Sequence, residues 1–221
     1  HGRIHRVAGL LMVQRRYGCL PLAVVMQPAI ALAQQGFAVG AELADSLSDA
    51  KGLLGSDPQS RRLFFKPSQD PTGPALPYRP GELLRQPELA ASLRCIAREG
   101  EACFYRGRLA RALTALMQAR GGLITAADLA SYRAQWMRPL IGHFRGHAVL
   151  TMPPPSGGGA TLLQLLQVLE PLDLAAAGLN SVASIHPIVE AINLAYRDRN
   201  RYLGDPDQVA MPLDRLLSRS Y

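Results

Sequence analysis

The sequence predicts an α+β chain that is predominantly helical, with one short β-hairpin. Three observations lead there. Apolar residues recur at helical spacing through most of the chain, and Ala102, Tyr105, Leu109, Ala112, Leu113 and Leu116 fall on one face of Glu101–Arg120. Two short runs, Leu140–Phe144 and His147–Met152, flank Arg145–Gly146, a pair suited to a tight turn. The 20 glycines and 17 prolines punctuate the chain at the ends of these segments.

Taken in order, Val7–Tyr17 reads as a helix closed by Gly18, and Leu22–Gln35 follows Pro21 and stops at Gly36. Ala41–Lys51 is a third, weaker helix. Residues 58–87 hold seven of the prolines: Pro58, Pro67, Pro71, Pro74, Pro77, Pro80 and Pro87. Such density removes amide donors and forbids long helices, so an irregular excursion with a short helix or two is expected inside a single segment, 1–221. Glu88–Arg98 and Glu101–Arg120 form the next pair. Thr125, three residues before Asp128, opens a short helix in the manner of a capping box.

After the hairpin, Pro153, Pro154 and Pro155 stop the second strand. Ser156 stands as N-cap before Gly157, Gly158 and Gly159, where a helix opens. Leucines surround that helix and predict burial on more than one face. Ser181 caps the last long helix, whose expected core stripe is Ile185, Ile188, Val189, Ile192, Tyr196 and Leu203. Gly204–Asp207 forms a turn, and Pro212–Ser218 a final short helix.

With 221 residues the chain is long enough for one domain, at most two, and its 48% hydrophobic content excludes a disordered chain. No run of 18 residues is free of charged or breaking residues, so no membrane span is expected. Of 24 basic residues only Lys51 and Lys66 are lysines. The net +7 is dispersed, without the basic stripe and stacking aromatics of a nucleic-acid binder. Cys19, Cys95 and Cys103 show no CxxC spacing, their odd count does not read as a disulfide framework, and Cys95 and Cys103 read as plain core residues.

The sharpest chemical feature is the strand–PPPSGGG–helix unit. Glycines entering a helix present free amides and the positive dipole end, so Ser156, Gly158 and Gly159 are candidates for holding a carboxylate or phosphate. The simpler reading is close packing of helix on strand. The loop is neither a P-loop nor a nucleophile elbow. His143 and His147 flank a turn without a neighbouring carboxylate; like His1 and His5 they do not read as metal ligands. No local signature marks a Ser–His–Asp triad. Asp205 and Asp207 read as turn formers, and Trp136 as a core anchor. Asp198 lies between Arg197 and Arg199 and suggests a structural, bidentate ion pair.

Six stretches carry a resemblance. They are VAGL at Val7–Leu10, YGCLPLAVVMQPAIALAQQGF at Tyr17–Phe37, FYRGRLA at Phe104–Ala110, GGLITAADLASYRA at Gly121–Ala134, MPPPSGGG at Met152–Gly159 and AYRDRNRYLGDPD at Ala195–Asp207. In this order they resemble the γ-glutamyltransferase (glutathione hydrolase) family, over the middle and later part of its large subunit. The resemblance implies part of an N-terminal-nucleophile αββα sandwich, made as a self-cleaving precursor, and needing no cofactor or metal. It also implies a periplasmic or secreted protein whose partners are a small γ-glutamyl substrate and the rest of its precursor, including a small subunit led by a nucleophilic Thr. That Thr is expected beyond Tyr221, and the family's substrate-gripping Arg before His1. Thr72, Thr114, Thr125, Thr151 and Thr161 stand outside the family's cleavage context, so no catalytic residue is assigned here. HGRIHR departs from the family's usual lead before VAGL, and Gly157 stands where the family commonly has a second Ser. A related acylase (cephalosporin/glutaryl or poly-γ-glutamate) and a non-catalytic helical interaction module are the alternative readings.

Overall fold

The computed structural model describes residues 5–67 and 73–221. Pro71, Thr72, His1 and the side chain of His5 lie outside the described residues. The chain divides into two compact units, His1–Gln135 and Trp136–Tyr221.

The first unit contains α1 (His5–Tyr17), α2 (Leu22–Gln35), β1 (Phe37–Ala38), α3 (Ala41–Asp49), α4 (Lys51–Ser56), α5 (Pro58–Phe64) and β2 (Leu83–Leu84). It continues with α6 (Pro87–Glu99), α7 (Glu101–Tyr105), α8 (Arg108–Ala119) and α9 (Ala126–Ser131). Ile30 and Ala33 of α2 are buried, as is Ala90 of α6, the helix against which α2 packs. The Gln86 amide donates to Ala33 O and joins the start of α6 to α2. β1 and β2 pair antiparallel, Phe37 opposite Leu84. Among its described residues, the proline-rich excursion supplies the helix α5 and the short strand β2.

Two predicted helices are divided. Ala41–Lys51 stops at Asp49, and a separate helix starts at Lys51. Glu101–Arg120 breaks at Arg106–Gly107, because the Gly107 ψ of −145° is not helical. The capping box at Thr125 forms in full: the Asp128 amide donates to the Thr125 hydroxyl, and Asp128 Oδ2 accepts from the Thr125 amide at 2.8 Å.

Two pins hold this unit, one of them across 97 residues. The buried Tyr105 hydroxyl accepts the Ala8 N–H at 3.1 Å, tying the start of α1 to the end of α7 across 97 residues. Burial raises the Tyr105 pKa, which keeps the hydroxyl neutral, and its ring stacks on Tyr132 at 5.5 Å. The second pin corrects the expectation of plain core thiols: Cys95 and Cys103 form a disulfide across the α6–α7 turn, with Cα atoms 5.9 Å apart. Gly100, at φ 60°, reverses the chain there and brings the two buried sulfurs together.

The second unit contains β3 (Leu140–Phe144), β4 (His147–Thr151), α10 (Gly157–Leu169), α11 (Val182–Tyr202) and α12 (Leu213–Leu216). β3 and β4 form a hairpin with Leu140 opposite Thr151 and Phe144 opposite His147. Arg145 and Gly146, at φ 48° and 81°, make the turn a mirror-image type that suits the twist of paired strands. The Arg145 N–H donates to both Glu170 carboxylate oxygens at 3.0 Å, clasping the turn to the end of α10. α10 packs on both strands and on α11.

The face of α11 that packs is not the expected stripe. Ser184, Ala191, Ala195 and Asp198 are buried, while Ile185, Val189, Ile192 and Tyr196 are exposed. Small residues permit close helix approach, so they take the α10 side, and the large apolar residues form a second face. Trp136 is exposed rather than a core anchor.

Two outcomes follow for the first unit. Iodoacetamide under native, non-reducing conditions should add to Cys19 alone, and to all three cysteines after unfolding with reductant; intact mass reads the difference. Asp57 has its pKa lowered to about 2, by the Ser60 amide first and then by Arg120. Its contribution is complete above the ordinary value of 3.8 and is lost as pH falls through about 2. The thermal midpoint of Asp57→Asn should therefore fall less steeply than that of the parent across that window.

Candidate functional site

The PPPSGGG segment joins β4 to α10. Prolines 153–155 have no amide to continue the ladder, and the Ser156 N–H turns back to Pro153 O at 3.2 Å. Ser156 occupies the N-cap position with extended backbone, but its hydroxyl makes no cap bond, contrary to the expected cap. The three glycines have different surroundings. A Cβ on buried Gly159 would lie deep inside the van der Waals radius of Met152 O, so helix and strand backbones touch there. Gly158 is exposed, and the nearest atom to a Cβ would be Ser156 Oγ at 3.8 Å. At Gly157 a Cβ would meet Arg199 Nε at 2.9 Å, because the Arg199 side chain lies across this residue. The Arg199 guanidinium sits 5.4 Å from the Tyr196 ring centre. A Ser at position 157 would displace it. The Thr161 hydroxyl donates to Gly157 O at 2.7 Å and closes the first turn of α10.

His143 and His147 lie on opposite faces of the hairpin. His143 faces with Ala148, whereas His147 pairs with Phe144. Among the described residues, the side chains that approach one another as a metal set are Cys95, Glu99 and Cys103. The two sulfurs are already joined to each other and do not serve as thiolate ligands.

Asp198 is nearly fully buried, at 4% exposure. Its bonding corrects the bidentate reading. Gln164 Nε2 donates to Oδ2 at 3.0 Å and the Tyr221 hydroxyl to Oδ1 at 3.3 Å, while Arg197 Nε is 3.7 Å away. Adjacent residues on a helix point about 100° apart. Asp198 turns toward α10, and the Arg197 side chain stays in solvent. Asp205 holds its own turn: Oδ1 accepts the Asp207 N–H at 3.0 Å, and its carbonyl accepts from Gln208 and Val209. Beside Asp198 lies a groove of about 720 Å³, bounded by β3, α10, α11 and residues 216–221. Gln164 and Tyr221, 34 and 23 residues from Asp198, were not legible as its partners, because no local spacing links them.

A model of the gamma-glutamyltranspeptidase family matches residues 6–221. This chain belongs to the gamma-glutamyltranspeptidase family. It is 40% identical over 216 residues to the glutathione hydrolase proenzyme of Escherichia coli, covering 97% of this chain and 36% of that protein. It is 41% identical over 206 residues to the acylase ACY 1 proenzyme of a Pseudomonas species, covering 93% of this chain and 36% of that protein. The crystal structure of Helicobacter pylori gamma-glutamyltranspeptidase superposes with a TM-score of 0.89 at 38% identity, over 97% of this chain and 60% of that one. The chain thus spans about a third of the length of these curated relatives. Its largely helical make-up with two small antiparallel strand pairs matches the gamma-glutamyltranspeptidase structure. Among the described residues, no helix is long and apolar enough to cross a membrane.

The family's glycine-rich loop yields a direct test of packing. Gly159→Ala should destabilise the chain by about 2–3 kcal/mol or more, since the obstacle is backbone. Gly158→Ala should be neutral or stabilising by up to about 1 kcal/mol, the usual gain in a helix. Denaturant midpoints compare them.

Proposed function

We propose that the chain is a large-subunit segment of a γ-glutamyltransferase-like enzyme. That enzyme cleaves γ-glutamyl amides such as glutathione and passes the γ-glutamyl group to water or to an amino acid or peptide. In the proposed reaction the hydroxyl of an N-terminal Thr, outside this chain, attacks the γ-carbonyl while its own amine takes the proton. The amine product leaves with a proton, and the γ-glutamyl ester is then opened by water or by the acceptor amine. This segment packs its helices on the sheet and walls the cleft; it contributes no nucleophile. The observation that carries this reading is the 40% identity to a glutathione hydrolase proenzyme across 97% of the chain.

A second reading has equal similarity behind it, since an acylase proenzyme is 41% identical. The two differ in the acyl group: a γ-glutamyl group carries an α-amino and α-carboxylate head, whereas a glutaryl group lacks the amine. For export of the protein, the Cys95–Cys103 disulfide is supporting evidence, because such bonds persist in oxidising compartments.

The full-length gene product should release the chromophore of a γ-glutamyl anilide more than about tenfold faster than it deacylates a glutaryl amide. The reverse preference assigns it to the acylases. Neither activity, in a preparation with a processed small subunit, supports the interaction module.

A further inference from the structure

Cys95 and Glu99 stand four residues apart on α6 and share one face of that helix. A continuous helix would carry Cys103 a further turn along the axis. Gly100 reverses the chain instead, and α7 returns Cys103 to Cys95. The two sulfurs and a Glu99 carboxylate oxygen thus lie within 4.8 Å of one another.

In the oxidised chain the sulfurs are bonded to each other and take no ion. A thiol reductant changes the chemistry of this corner. Two thiols, or one dithiol, pass two electrons and two protons to the S–S bond. The bond opens to two cysteine thiols, and the reductant leaves as its own disulfide. Two buried thiols then face a carboxylate. A divalent cation that favours sulfur displaces both thiol protons to solvent and binds two thiolates and one carboxylate. No electron moves in that second step.

The geometry suits such an ion. Zinc holds sulfur at about 2.3 Å and carboxylate oxygen at about 2.0–2.2 Å, so a tetrahedral shell spaces its ligand atoms about 3.5–3.8 Å apart. The three ligand atoms already fall inside 4.8 Å, and the Cα atoms of the cysteines are 5.9 Å apart. Once the bond is cut, rotation about the Cα–Cβ bonds separates the sulfurs. Charge and access fit as well. Two thiolates and one carboxylate around a divalent cation leave a single negative charge. Arg98 donates to Glu99 Oε1 at 3.2 Å and leaves the other oxygen for the ion. Arg15 Nη2 passes 3.7 Å from where a Cβ on Gly100 would stand. Cys95 and Cys103 are buried while Glu99 is exposed, so the site is closed on its sulfur side and open to water on its carboxylate side. Water completes the four-ligand shell there.

We propose that Cys95, Glu99 and Cys103 form a zinc-class metal site in the reduced chain, an alternative to the disulfide at the same place. The α6–α7 corner is closed by an ion under reducing conditions and by the sulfur–sulfur bond under oxidising ones.

Cobalt(II) and zinc test this on the full-length gene product carrying Cys19→Ser. After reduction with a phosphine and desalting without air, one equivalent of cobalt should raise a thiolate-to-metal charge-transfer band that zinc abolishes. The oxidised protein should show no such band. Absence of the band after reduction overturns the proposal, and so does an equal band before it. Glu99→Gln keeps both cysteines and alters an exposed side chain. It should weaken zinc binding by at least about tenfold, the least that loss of an outer-shell partner costs. It should still form the disulfide, read as protection from iodoacetamide by intact mass. Unchanged zinc affinity in Glu99→Gln overturns the site, whether or not a cysteine variant folds. A band that survives in folded Cys103→Ser also overturns it, because the ion then sits on other sulfurs.

Discussion

The second unit depends on the contact between the Gly159 backbone and the Met152 carbonyl. With no side chain between them, the first turn of α10 lies directly against the end of β4. That placement puts Leu163 under Gly142, where a β-carbon would collide with it, and sets which hairpin face the helix covers. About three turns on, Glu170 is in reach of the hairpin turn and holds its amide. The helix is thereby fixed to the hairpin at both ends. α11 can then approach α10 closely, because Ala191 and Ala195 are small, and Asp198 reaches Gln164 across the seam.

The first unit is held differently. Its clusters are modest: Ala8, Tyr105, Ala110 and Leu129 form one, and Leu11, Ile96 and the two bonded cysteines another. Specific polar links join residues far apart in sequence, and a disulfide lies within the second cluster. Arg120 reaches Asp57 at 2.7 Å, tying the end of α8 to the start of α5. Such exposed pairs add little individually to stability, so the aromatic and disulfide pins carry the geometry.

The sequence revealed what is local. The α2 boundaries, the Thr125 and Ser181 caps, the hairpin turn and the start of α10 all follow from spacing, glycine placement and backbone donors. It misled where the choice was tertiary. On α11 both faces carry apolar residues, so periodicity alone selected the bulkier one, although close packing favours alanine. The break at Gly107 was hidden by an apolar pattern that runs through it. Cys95 and Cys103 meet only because Gly100 reverses the chain, which spacing does not reveal. At the candidate site, the glycine loop was legible as a motif, but the Arg199 side chain lying on Gly157 was not, since 42 residues separate them.

The disulfide has a consequence beyond covalent closure. It links residues only eight apart, so it leaves most of the disordered chain's freedom untouched. Its effect is directional. α7 is five residues long, and Tyr105 follows Cys103 by two, a rise of about 3 Å along the axis. The helix acts as a short strut bolted at its central residue, Cys103. Where the sulfur bridge holds it decides where the aromatic hydroxyl on its last residue arrives, and so whether that hydroxyl meets the Ala8 N–H of α1.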